Sequence, residues 1–335
     1  MKTSMALVVA VLAVLLSTSS ALAGQAKSLC IFDPSGANGD IYNLMKDYKT
    51  AAVGWGVDFS SRPYTDEKTA YEDFKAGKCD AVVLTSTRVR NFHPLAGSLE
   101  AMGGLTSYDQ LGTVIKQLAT PKGGALLKTA EYNVHGIFPG GAVWLFTRDR
   151  SIDTVGEMAG KRLATLDYDT AAKVMVRHVG ASLVAADLGT FAGMFNNGSV
   201  ELCYAPAIAY KALELYKGIG TKGGIARYTL AQLTFQVVSK ATTFSDEFSA
   251  KSRTWGSDNF ARFRGLVEKA DNEIPADKWI DLPAADKVKY DTMFQEVRLR
   301  LRDQEKVYDK GMLTLLRRVR CKAEPARAEC AEQKE

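Results

Sequence analysis

Residues able to hold a ligand recur where an apolar run gives way to a turn. After residues 29–33 comes Asp33-Pro-Ser-Gly-Ala-Asn-Gly-Asp40. A turn joining a strand to a helix presents free backbone N–H groups and a helix dipole to an anion or polar group. Asp33, Ser35 and Asn38 are its candidate side chains. The stretch lacks the Gly-Lys-Ser/Thr ending of a phosphate loop, and its glycines equally serve an ordinary turn. After residues 79–85 comes Thr85-Ser-Thr-Arg-Val-Arg-Asn-Phe92. Thr85, Ser86, Thr87, Arg88 and Arg90 could clamp a carboxylate or phosphate through paired donors. Arg88 is the favoured anchor, although a single Arg is more often a solvated surface charge. Asp167, Tyr168 and Thr170 stand at a third strand end, with Asp169 as a helix-cap candidate. Tyr204 stands at a fourth. Phe138, Trp144 and Tyr168 could form aromatic walls, though buried aromatics are more often core.

Chemistry of other kinds finds little support. The three histidines, His93, His135 and His178, show no metal-ligand spacing with one another or with a Cys. No Gly-x-Ser-x-Gly elbow is present, and scattered carboxylates nominate no acid–base pair. The sequence therefore predicts a binder rather than an enzyme, with no cofactor and no metal. The 43 Lys and Arg against 38 Asp and Glu are spread along the chain. Nucleic-acid binders carry dense basic stripes with interleaved aromatics, so no nucleic-acid partner is expected.

The amino terminus reads as an export signal. Lys2 precedes the apolar run Ala6 to Leu16, and Ala21-Leu22-Ala23 supplies small residues before Gly24. The run is too short for a span of about 20 residues. Residues 1–23 are expected to be removed after Ala23, leaving the chain in the periplasm. Of five cysteines, Cys321 and Cys330 are expected to pair and Cys203 to stay reduced. Cys30 and Cys79 could pair only if their strands are neighbours.

The elements that must position these residues alternate. Strands are predicted at 29–33, 57–64 and 79–85, with helices at 40–50 and 65–76 between them and Thr65 as cap. The middle repeats the theme. Strands fall at 142–147, 161–166, 182–185, 200–203 and 233–239, with helices at 154–159, 169–179, 190–196 and 207–216. Long helices follow at 246–269 and 284–320. This order predicts an α/β fold of two lobes, each an α/β sheet, with long C-terminal helices. Residues 24–140 plus 240–335 would form lobe 1 and residues 141–239 lobe 2. In such sheets ligands bind at the carboxyl ends of strands.

The order and several motifs resemble the solute-binding proteins of tripartite ATP-independent periplasmic (TRAP) transporters, of the C4-dicarboxylate-binding type. Glu72-Asp-Phe-Lys-Ala-Gly-Lys-Cys-Asp-Ala81 resembles the family's helix, turn and third strand, and Arg88 to Leu99 its following Pro-containing stretch. Ser151 to Lys161, and Val179-Gly-Ala-Ser-Leu-Val184 with Phe191 to Val200, resemble its middle runs. The resemblance implies a periplasmic binding protein of type II. It would capture a small organic acid or an apolar molecule between its lobes and deliver it to an inner-membrane transporter. One departure stands out: Gly160-Lys161-Arg162-Leu163 leads to Ala164 where the family places a carboxylate-clamping Arg, so Arg162 is offset by two positions. A carrier of a lipid or other apolar molecule, an enzyme on the same fold and a sensory partner of a membrane receptor are the competing readings.

Overall fold

A computed structural model of the chain describes residues 24–335; the expected export signal and its cleavage site lie outside them. Among the described residues nine strands form one sheet: β1 (Gln25–Phe32), β2 (Val57–Tyr64), β3 (Ala81–Thr85), β4 (Tyr132–Thr147), β5 (Arg162–Leu166), β6 (Ser182–Ala186), β7 (Leu202–Pro206), β8 (Gly224–Lys240) and β9 (Trp279–Ile280). Their order is β2-β1-β3-β8-β4-β7-β5-β6, with β9 beside β8. The strands β2, β1 and β3 pair in parallel, as do β5 with β6 and β7. β8 is antiparallel to both β3 and β4.

The two-lobed α/β architecture is present, but the lobes share a sheet. The strands expected at 142–147 and 233–239 are 16 and 17 residues long and run through both halves. Their register shifts three times, between Val134 and Gly136, Pro139 and Gly141, and Val143 and Leu145. Such bulges bend a strand and increase its twist. Gly141 sits at one of them with φ +110°, a conformation that side chains with a Cβ rarely adopt.

Parallel strands buried on both faces read as continuous apolar runs, and all five residues of β3 are buried. The main core reaches from Leu29 and Phe59 through Phe138 and Val237 to Phe294 and Leu316. A smaller one gathers Phe146, Phe195, Cys203, Leu215 and Ile225 on the β5–β7 side.

Helix ends differ from expectation where a cap intervenes. Asp66, not Thr65, caps the helix Glu67–Lys75 by accepting from Thr69 N. The helix expected at 246–269 breaks at Asn259 into Asp246–Asp258 and Phe260–Asn272. The one expected at 284–320 breaks into Ala284–Asp303 and Lys310–Ala323. Lys306 turns at φ +56° between them, and Asp309 caps the second by accepting from Met312 N. Cys321 bonds Cys330, Cys30 bonds Cys79 across 5.9 Å between Cα atoms, and Cys203 is free and buried.

Candidate functional site

The carboxyl ends of β1, β3 and β5 converge on a cavity of about 660 Å³. The strand-to-helix turn after β1 supplies Asp33, Ser35 and Asn38. Asp33 accepts from Ser35 N at 2.8 Å and Tyr42 N at 3.1 Å, which pins the turn to the next helix. A Cβ on Gly39 would meet that carboxylate at 1.9 Å, so Gly39 makes this close approach possible.

After β3 the chain enters a helix, Ser86–Val89, rather than an open loop. Successive helical residues turn by about 100°, so Arg88 and Arg90 diverge. Arg90 lines the cavity and Arg88 does not, which reverses the preference for Arg88. Arg88 Nε lies 3.7 Å from Glu67 Oε2, and its guanidinium stacks 3.4 Å from the centre of the Tyr168 ring. Glu67, fully buried, accepts from Thr85 N and Oγ1 and from Tyr168 OH at 3.1 Å. Burial pushes the Glu67 carboxyl above its ordinary range.

Arg90 is engaged on three sides. Its Nη2 donates to Glu100 Oε1 at 2.6 Å, its Nη1 to Asp169 Oδ1 at 3.4 Å, and its Nε to Gly97 O at 3.4 Å. Ser86 Oγ donates to the other oxygen of Glu100. Burial pushes the Glu100 carboxyl up to about 7; Arg90 opposes this and Asp169 adds to it. Asp169 also caps the helix Thr170–His178 by accepting from Ala172 N. Tyr308, from the break between the terminal helices, lies over Arg90 at 5.3 Å and receives a hydrogen bond from Met102 N.

Of the candidates named from sequence, Asp33, Ser35, Asn38, Thr85, Thr87, Arg90, Tyr168 and Tyr204 line this cavity. Ser86 is buried beneath it on Glu100. Asp167 and Thr170 are exposed beside it. Phe138 is core, stacked 4.6 Å from Phe263. Trp144 faces away: strand alternation sends Val143 into the cavity and Trp144 to the opposite face, where its Nε1 donates to Asp271. Arg162 pairs with Glu201 at the surface, whereas Ala164 and Leu166 line the cavity.

Sequence reasoning missed Glu67, Glu100 and Tyr308, and the apolar wall from Phe263, Leu266 and Val267. The apolar spacing of the helix Phe260–Asn272 was the one signal available for that wall. Among the described residues, no group of three or more His, Cys, Asp or Glu is arranged to hold a metal ion.

The family model of solute-binding protein AdeT 1/2 matches residues 49–335. The chain is 37% identical over 301 residues to a probable solute-binding protein AdeT1 of Acinetobacter baumannii, covering 90% of this chain and 99% of that one. A TRAP periplasmic solute-binding protein of Ralstonia eutropha with bound (S)-2-acetolactate superposes with a TM-score of 0.70 at 12% identity, over 89% of this chain and 99% of that one. One from Shewanella oneidensis with bound succinate gives 0.68 at 11%, again over 89% and 99%. At such identities the likeness is one of fold. The chain belongs to the AdeT 1/2 solute-binding protein family.

Proposed function

We propose that this protein captures a small organic solute in the cavity between its lobes, in the periplasm, and passes it to an inner-membrane transporter. The lobe boundary runs through β4 and β8. Residues 24–140 with about 234–335 make one lobe, since Phe235–Ser239 pair with β3; residues 141 to about 233 make the other. The observation that carries this reading is the set of side chains that bridge the cavity. Tyr168 meets Arg88 and Glu67, and Asp169 meets Arg90. These contacts hold a closed arrangement, and a solute touching both walls would favour it over an open one. The solute is bound without change to its own bonds. The relatives' solute-binding names, and the organic acids held by structures of the same fold, support this reading.

Native mass spectrometry of protein drawn from the periplasm should find a small molecule that leaves on mild denaturation. Small-angle scattering should show the stripped protein compacting when that molecule is restored. A protein that carries nothing and never compacts would end this reading.

A further inference from the structure

Resting on the capture reading, we propose that the solute is an uncharged amphiphile, an apolar body bearing a hydroxyl, carbonyl or amide head, and not a carboxylate. The walls come first. Leu44, Met175, Phe191, Leu213, Phe235 and Phe263 lie around a cavity of about 660 Å³, inside the range of about 300–1,000 Å³ typical of drug-sized ligands. β5 adds Ala164 and Leu166, with no cation.

The charges come second. Arg90 is the buried cation of the cavity, and it already serves Glu100, Asp169 and the carbonyl of Gly97. Two carboxylates thus share one guanidinium. A third anion here would enter an acidic surplus, and a buried charge without its own partner is costly. Burial is the main reason the Glu100 carboxyl lies near 7, and Asp169 adds to that rise against the pull of Arg90. Asp33 adds a further carboxylate to the same walls. Lys211 and Lys269 also reach the cavity, but their side chains are 62% and 74% exposed and both lie beside Glu273. Solvent weakens such cations as anchors.

Apart from Asp40, an exposed carboxylate at the rim, the other hydrogen-bonding side chains available to a solute are neutral. Ser35, Asn38 and Thr87 line the cavity. Tyr204 OH accepts from Leu166 N at 3.2 Å and keeps its own proton to donate. These suit a hydroxyl, carbonyl or amide.

Calorimetric titration of stripped protein with 1-decanol, decanoate and succinate tests this. Decanol should bind at least about tenfold more tightly than decanoate, and succinate should give no heat. In the variant E100Q/D169N both carboxylates become neutral isosteres, and Asn still caps a helix as well as Asp. Arg90 is then free, and the preference for decanol over decanoate should shrink at least about tenfold. Decanoate or succinate binding the natural protein as tightly as decanol would overturn the proposal and leave capture standing. An unchanged preference in the double variant would overturn the assigned cause. Silence from all three probes overturns the proposal, and if mass spectrometry also finds no bound molecule, capture falls with it.

Discussion

Two buried clusters in this molecule use the same residue types and reach opposite states. Beside the C-terminal helices, Arg298 and Arg320 are fully buried against Glu329 and Glu335. Arg327 adds a third guanidinium to Glu329 at 2.8 Å. Burial alone would raise the Glu329 carboxyl, but the hydrogen bonds from Arg320 and the charges of Arg298, Arg320 and Arg327 hold it near 2. In the cavity Arg90 alone faces Glu100 and Asp169, and Glu100 stands near 7. Both clusters are buried and both contain Arg–carboxylate pairs, so the ratio of cations to anions separates them. The C-terminal cluster also donates to Met102 O and Gly104 O. It therefore braces the segment whose Met102 lines the cavity. One cluster is a brace; in the other, the proposed closure would make, and opening would break, the contact of Arg90 with Asp169.

The sharpest way to break this contrast is to remove one guanidinium from each. Arg320→Met leaves Glu329 and Glu335 short of a buried partner and should cost about 3–5 kcal/mol of stability. Arg90→Met should cost less than about 2 kcal/mol, because Glu100 can take up a proton instead. Urea unfolding followed by circular dichroism measures both, and equal losses would mean the clusters are alike.

Acidity gives the next largest effect, and its sign differs between the clusters. The Glu100 carboxyl is raised in the folded state, so its stabilising contribution is full below its ordinary value of 4.5 and is lost as pH rises through 7. That loss is on the order of 3 kcal/mol. Glu329 is depressed; its contribution is present above 4.5 and disappears as pH falls toward 2. Urea midpoints of the natural protein and Glu100→Gln should therefore diverge between pH 4.5 and 8, with the variant gaining relative stability toward pH 8. Parallel curves would remove Glu100 from the account.

Asp169→Asn keeps the helix cap and loses a 3.4 Å ion pair. Its stability should change by about 1 kcal/mol or less, while the ligand-free protein should scatter as a more open particle. Smallest of all is Arg162→Ala at the exposed pair with Glu201. About 0–1 kcal/mol and unchanged ligand affinity are expected. A loss of affinity would move the binding site toward the start of β5.

These outcomes also measure how far the sequence could be read. β2 matches its expected span, and the alternation of strands and helices is correct, because buried parallel strands and amphipathic helices carry distinct periods. β4 was legible only for its last six residues. Gly136, Pro139, Gly140 and Gly141 interrupt its pattern, and those are the positions where the strand bends. Within the site, the strand ends were legible but the direction of each side chain was not. Arg88 and Arg90 are chemically equal in sequence; a helix starting at Ser86 decides which one meets the cavity. The partners that neutralise Arg90 come from separate elements, Glu100 from the turn Ser98–Glu100 and Asp169 from the start of the helix Thr170–His178. No local spacing announces them.

The two long strands also set an order of events as the chain folds. β3 holds β1 on one side, and on its other side Thr85 pairs with Phe235 of β8. A chain emerging from its amino terminus completes β1, β2 and β3 well before β8 exists. Contacts so distant along the chain form slowly, and until they form β3 presents an open row of backbone donors and acceptors. A nascent or truncated chain that stops short of Gly224 therefore cannot close either half of the sheet, since β4 in the second half also pairs with β8. Such a chain stays pliable for as long as β8 is missing, and it exposes a sticky edge for the same interval.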